Sequence, residues 1–91
     1  PLHSAVAARR LRIARALIEH GADVNAVQSD EFTPLMGAAQ NGQIEMIELL
    51  LAHGARVDAL SANGQSALDL ARESGHAAAA ALLQRHAGGA A

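Results

Sequence analysis

Histidine recurs in this chain at a spacing that invites a metal hypothesis: His20, His53 and His86 stand 33 residues apart. One zinc ion draws its ligand nitrogens to about 2.0–2.1 Å, whereas neighbouring packed helices lie about 8–10 Å apart. Residues one repeat apart therefore cannot share an ion. Each of the three closes an apolar helical stretch, and His20 and His53 are followed directly by glycine. There a histidine meets the free carbonyls and negative pole of a helix end. The nearest approach to a nucleophile elbow, Gly64-Gln65-Ser66-Ala67-Leu68, lacks its final glycine, and Ser66 reads as a helix cap. Phosphate cradles of the Walker type need a lysine, and all seven basic residues are arginine. Asp30 and Glu31 are adjacent on a polar segment, where solvation leaves no reason for the raised pKa of a general acid. No catalytic, cofactor-binding or metal-ligating set is assigned, and the chain is read as no enzyme.

Composition narrows the remaining classes. A formal charge of −2 gives no basic field for nucleic acid. Arg9, Arg10, Arg12 and Arg15 cluster, but a shift of 33 residues sets Arg12 beside Glu45 and Arg15 beside Glu48, with Asp23 beside Arg56. The cluster is thus a solvated face with carboxylates one unit away. No apolar run reaches the roughly 20 residues of a membrane span. No membrane partner is expected, and a cytoplasmic location is. Cysteine is absent and Phe32 is the one aromatic residue, so any core packs closely on small aliphatic side chains.

The elements that position these residues follow from the same period. A shift of 33 superposes Pro1-Leu2 on Pro34-Leu35 and then Ala67-Leu68, and His20-Gly21-Ala22 on His53-Gly54-Ala55. Leu17, Leu50 and Leu83 fall in one column, as do Gly42 and Gly75. Such self-similarity marks a stacked array. In the middle unit Thr33 caps a helix that starts at Pro34, where the missing N–H costs nothing. Gly42 ends it near Asn41. A second helix from Ile44 to His53 aligns Ile44, Ile47, Leu50 and Leu51 on one stripe. Residues 55 to 66, with Asn63-Gly64 at the tip, form a hairpin-like finger.

These residues resemble the ankyrin repeat, whose signature T-P-L-H-x-A recurs every 33 residues. Thr33-Pro34-Leu35 with Ala38 matches it in the middle unit and Pro1-Leu2-His3 with Ala5 in the first. Gly21-Ala22-Asp23-Val24-Asn25 matches the segment between repeats. The resemblance implies an all-α ankyrin-repeat solenoid, helix-turn-helix units joined by hairpin-like fingers. A single domain spans 1–91: a truncated first repeat over 1–27, a second over 28–60, a third with its C-terminal cap over 61–86, and a tail over 87–91. In that cap the second helix shortens to Ala77–Ala81, and Gly88-Gly89 leaves the tail outside the array.

Departures locate strain. Arg9 occupies the position of Gly42 and Gly75, which wants positive φ, at a cost of about 1 kcal/mol or more, and the first turn is expected to distort. Glu31 replaces the finger glycine that Gly64 keeps, so the second tip is expected to be irregular. Met36 and Asp69 replace the signature histidine that His3 retains.

What the resemblance implies about function is a non-catalytic module that binds a partner protein on its concave face. Carried over by position, Ser29, Asp30 and Phe32 lie on the second finger and Ala62, Asn63 and Gln65 on the third. Met36, Gln40, Asn41, Glu73 and Ser74 lie on or beside the helices. Phe32 is read either as an exposed anchor, since binding energy concentrates in such side chains, or as folded back over the Glu31 irregularity. The alternative is a scaffolding segment of a longer ankyrin protein, or one that associates with a second copy through an uncovered face near Leu2, Ala5, Val6 and Leu11.

Overall fold

A computed structural model describes residues 2–89. Pro1, on which the first signature match begins, and Ala90 and Ala91 of the tail lie outside the described residues. Six helices follow one another in pairs: α1 (Leu2–Ala7), α2 (Leu11–Glu19), α3 (Pro34–Gln40), α4 (Ile44–Ala52), α5 (Ala67–Glu73) and α6 (Ala77–Gly89). Among the described residues the one extended pairing is an isolated antiparallel bridge between Gln28 and Phe32.

Caps chosen locally by the sequence set these boundaries. Thr33 Oγ1 accepts from Met36 N at 3.3 Å, and Ser66 Oγ accepts from Asp69 N at 3.2 Å, so both first helices start where a hydroxyl satisfies an orphan N–H. The Asp69 carboxylate returns the bond to Ser66 N at 3.0 Å, which closes a capping box. At the C-terminal ends the chain turns back through paired bonds one residue apart. Gly42 N donates to Ala39 O and Gln43 N to Ala38 O, and the same pair recurs at Gly75 and His76.

Arg9 completes the series in the same conformation. Its φ of 59° matches the 67° of Gly42 and the 77° of Gly75, and Arg9 N and Arg10 N make the equivalent bonds to Val6 O and Ala5 O. The expected distortion of this turn is therefore corrected: stacking imposes the turn and the arginine bears the strain. Its guanidinium recovers part of that cost by donating to Asn41 O on the next unit at 3.0 Å. Arg9→Gly consequently melts higher than Arg9→Ala, by the equivalent of roughly 1–2 kcal/mol, since both lose the bond and only alanine keeps the strain. Equal thermal midpoints for the two variants would remove strain from the account.

Two layers result. The inner layer stacks α1 on α3 and α3 on α5, and the outer layer stacks α2 on α4 and α4 on α6. Leu35, Met36, Ile47, Leu50 and Leu83 are fully buried between the layers, with alanines at 14, 38, 39 and 71 allowing close approach. Polar side chains tie neighbouring units together. Gln43 donates to Val6 O at 2.8 Å, while Asn25 donates to Gly54 O at 3.1 Å and accepts from Arg56 N at 2.8 Å. The contact across the Asp23–Arg56 column is thus carried by Asn25, whose own N–H is held by Asp23 Oδ1 at 2.9 Å.

Two further expectations are corrected. Leu2, Ala5 and Val6, assigned to an uncovered face, are buried, and Leu11 packs half-buried against the core, because α1 lies flat on α3. The apolar residue that this end does expose is Ile13, 45% accessible. Helix α6 also runs past Ala81 and His86 to Gly89. A run of alanines has the highest helix propensity, and each terminal glycine costs only about 1 kcal/mol against it. Among the described residues no helix is long and apolar enough to cross a membrane.

Candidate functional surface

The fingers are built from one turn used twice. In the second, Gln28 N donates to Phe32 O at 3.1 Å and Glu31 N to Gln28 O at 3.0 Å. In the third, Ser61 N donates to Gln65 O and Gly64 N to Ser61 O, both at 2.9 Å. The fingers lie side by side, joined by Ala62 N donating to Asp30 O at 2.8 Å. Where Gly64 has φ 77°, the second tip forces Asp30 to 68° and Glu31 to 56°. The irregular second tip is therefore a short 3-10 turn, Ser29–Glu31, with two side-chain-bearing residues in the left-handed region.

Of the residues carried over by position, Ser29 and Asp30 sit exposed on the second tip and Ala62 and Asn63 on the third. Gln40 is exposed at the end of α3, with Asn41 half-buried as its C-cap. Glu73 and Ser74 are exposed at the end of α5, and Glu73 Oε2 accepts from half-buried Gln65 Nε2 at 2.8 Å. Met36 leaves the set. It is 1% accessible, and its sulfur lies 3.4 Å from Thr33 N, so it fills the core and closes the cap.

Phe32 combines the two roles that its sequence position left open. It is half-buried against the core, with Cε2 close enough to Gly37 that a Cβ there would lie 3.5 Å away. Its ring also walls a cavity of about 110 Å³ between α1 and α3. Val6, Ala7, Pro34 and Gly37 supply further apolar walls, and Gln28, Gln40 and Asn41 bring carboxamides to it. His3 fixes the finger above it. The Phe32 carbonyl can only accept, so the His3 Nε2 at 3.1 Å carries the proton and donates.

Two residues of this surface escaped the sequence reading. Val27 and Leu60 are 60% and 56% accessible and stand one period apart, each just before a finger. Their signal was present as an in-register apolar pair in a polar segment, but apolar type alone argues for burial. Only the solvent exposure of both points to a surface.

The recurring histidines stay apart from this face. His20 and His53 cap the C-terminal ends of α2 and α4, and His86 lies in α6. His76 packs its ring over Gly42, where a Cβ would lie 2.5 Å from Nδ1.

No curated protein matches the chain. The family model described as ankyrin repeats matches residues 2–90 in three copies. That match and the repeated pairing of helix, helix and finger agree in period and extent: the chain belongs to the ankyrin-repeat family.

Proposed function

We propose that this chain is a non-catalytic protein-binding module that holds its partner on the front formed by the fingers and the first helices α1, α3 and α5. Ankyrin repeats serve generally as protein-interaction modules, which supports the coarse reading. The observation that supports this particular face is the exposure of Val27 and Leu60, one period apart and each directly before a finger. Apolar side chains held in water at two equivalent positions bring no gain to the fold, whereas covering them with a partner removes that area from water. The finger tips and helix ends, Ser29, Asp30, Ala62, Asn63, Gln40, Asn41, Glu73 and Ser74, then form the rim.

The test compares capture of proteins from a lysate by the wild type, by Val27→Ser/Leu60→Ser, and by Arg12→Ala on the opposite face. Because all three sites are exposed, stability should move by no more than about 0.5 kcal/mol per substitution. Capture lost only with the front-face pair supports the reading, and capture retained by that pair overturns it.

A second reading rests on Ile13. It occupies the register of Met46, which is 2% accessible, yet Ile13 is 45% accessible on α2, the first helix of the outer layer among the described residues. A scaffolding contact or a second copy of the chain would cover it. On that reading, sedimentation of the wild type shows concentration-dependent association that Ile13→Ser abolishes. A monomer at all concentrations removes self-association.

A further inference from the structure

We infer that the Phe32 cavity receives one aliphatic side chain of an extended peptide segment, and that the residue flanking it toward the fingertip is arginine or lysine. This deepens the front-face reading and rests on it.

Size selects the side chain. A cavity of about 150 Å³ lined by apolar groups holds benzene, so one of about 110 Å³ suits a leucine or isoleucine side chain. Its lining selects the main chain around that residue. The carboxamides of Gln28, Gln40 and Asn41 each present a donor and an acceptor, and among the described residues none of them hydrogen-bonds within the chain. An extended backbone offers them alternating N–H and C=O groups, as in other recognition of peptides by apolar pockets for alternate side chains.

Charge selects the neighbour. Between Gln28 and Phe32, both of which line the cavity, the chain places Asp30 and Glu31, and Glu31 stands in the register of Gly64. Neither carboxylate hydrogen-bonds to the chain among the described residues. At the opposite end Arg9 is already engaged by Asn41 O. Neither carboxylate lines the cavity itself, but the exposed fingertip beside it is acidic and complements a base there.

A hollow of about 460 Å³ on α2 is lined by Arg10, Leu11, Arg12 and Ile13 and has the opposite, basic polarity. Two others, of about 210 and 270 Å³, lie along α2 and α4 and set Arg9 and Arg15 among Glu45 and Glu48. Acidic and basic side chains line each of these two hollows together.

The test is a titration of the ¹⁵N-labelled chain, followed by amide NMR, with three capped peptides. These carry leucine between two arginines, leucine between two glutamates, and alanine between two arginines. The expected result is that the first peptide shifts the amides of Gln28, Phe32, Gly37 and Asn41, and that the alanine peptide binds at least about tenfold more weakly, having lost three carbons from the cavity. Asp30→Asn/Glu31→Gln weakens the first peptide roughly threefold to tenfold, and added salt weakens it on the wild type in the same direction.

Equal binding of the glutamate-flanked peptide at these amides overturns the basic neighbour while leaving the front-face reading intact. Shifts confined to α2 and α4, or no shift with any peptide, overturn the inference. The front-face reading is then decided separately by the Val27→Ser/Leu60→Ser capture.

Discussion

Gly42→Ala lowers the unfolding free energy by roughly 2–5 kcal/mol, and Gly75→Ala lowers it by only about 1–2 kcal/mol. Both glycines end a first helix at positive φ, 67° and 77°, where any side chain costs about 1–2 kcal/mol. The difference is the ceiling above them. A Cβ at Gly42 would lie 2.5, 2.7 and 2.9 Å from the Nδ1, Cγ and Cε1 atoms of His76, whereas nothing comes within 4 Å at Gly75. Displacing a half-buried ring from its packing adds about 1–3 kcal/mol. His76→Ala in the Gly42→Ala background removes the obstacle, so the double variant is more stable than the two single losses sum to. Urea unfolding followed by far-UV circular dichroism measures the four variants against the wild type. Equal costs at Gly42 and Gly75 would show that the ring moves aside freely.

The second large effect falls on one column of leucines. Leu50→Ala and Leu83→Ala each cost about 2–5 kcal/mol, because these side chains are 0% and 1% accessible. Leu17→Ala costs roughly half as much, since Leu17 packs against the core only half-buried. A domain of this size has a total stability of roughly 5–15 kcal/mol, so Leu50→Ala removes a large fraction of it. The array also makes Leu50 the most damaging of the three. In a solenoid, stability is a sum of unit and interface contributions, and Leu50 belongs to the unit that both others stack upon. Midpoints of urea unfolding in the order Leu17→Ala above Leu83→Ala above Leu50→Ala are the expected result. Equal midpoints for all three would mean that the units do not share one core.

Most of the fold was legible because its determinants are local and repeated. Thr33 and Ser66 announce helix starts through their own hydroxyls, and Gly42 and Gly75 announce stops through their φ. The 33-residue offset places each unit beside the next without any knowledge of packing. The surface was legible less evenly. Ser29, Asp30, Asn63 and Gln40 are polar residues whose exposure follows from their type. Met36, Val27 and Leu60 are apolar, and type does not tell which of them the neighbouring unit covers.

By itself, then, the sequence determined the period, the caps and the family to which the chain belongs, since each depends on residue type and spacing along one dimension. Tertiary structure decided that Arg9 holds a glycine's conformation, that α1 buries Leu2, Ala5 and Val6, and that α6 continues to Gly89. It also decided that Phe32 walls a cavity while Met36 lies buried in the core. These outcomes depend on which neighbour arrives above a given side chain. Burial belongs to the pair of surfaces that meet, and the linear chain lists only one of them at a time.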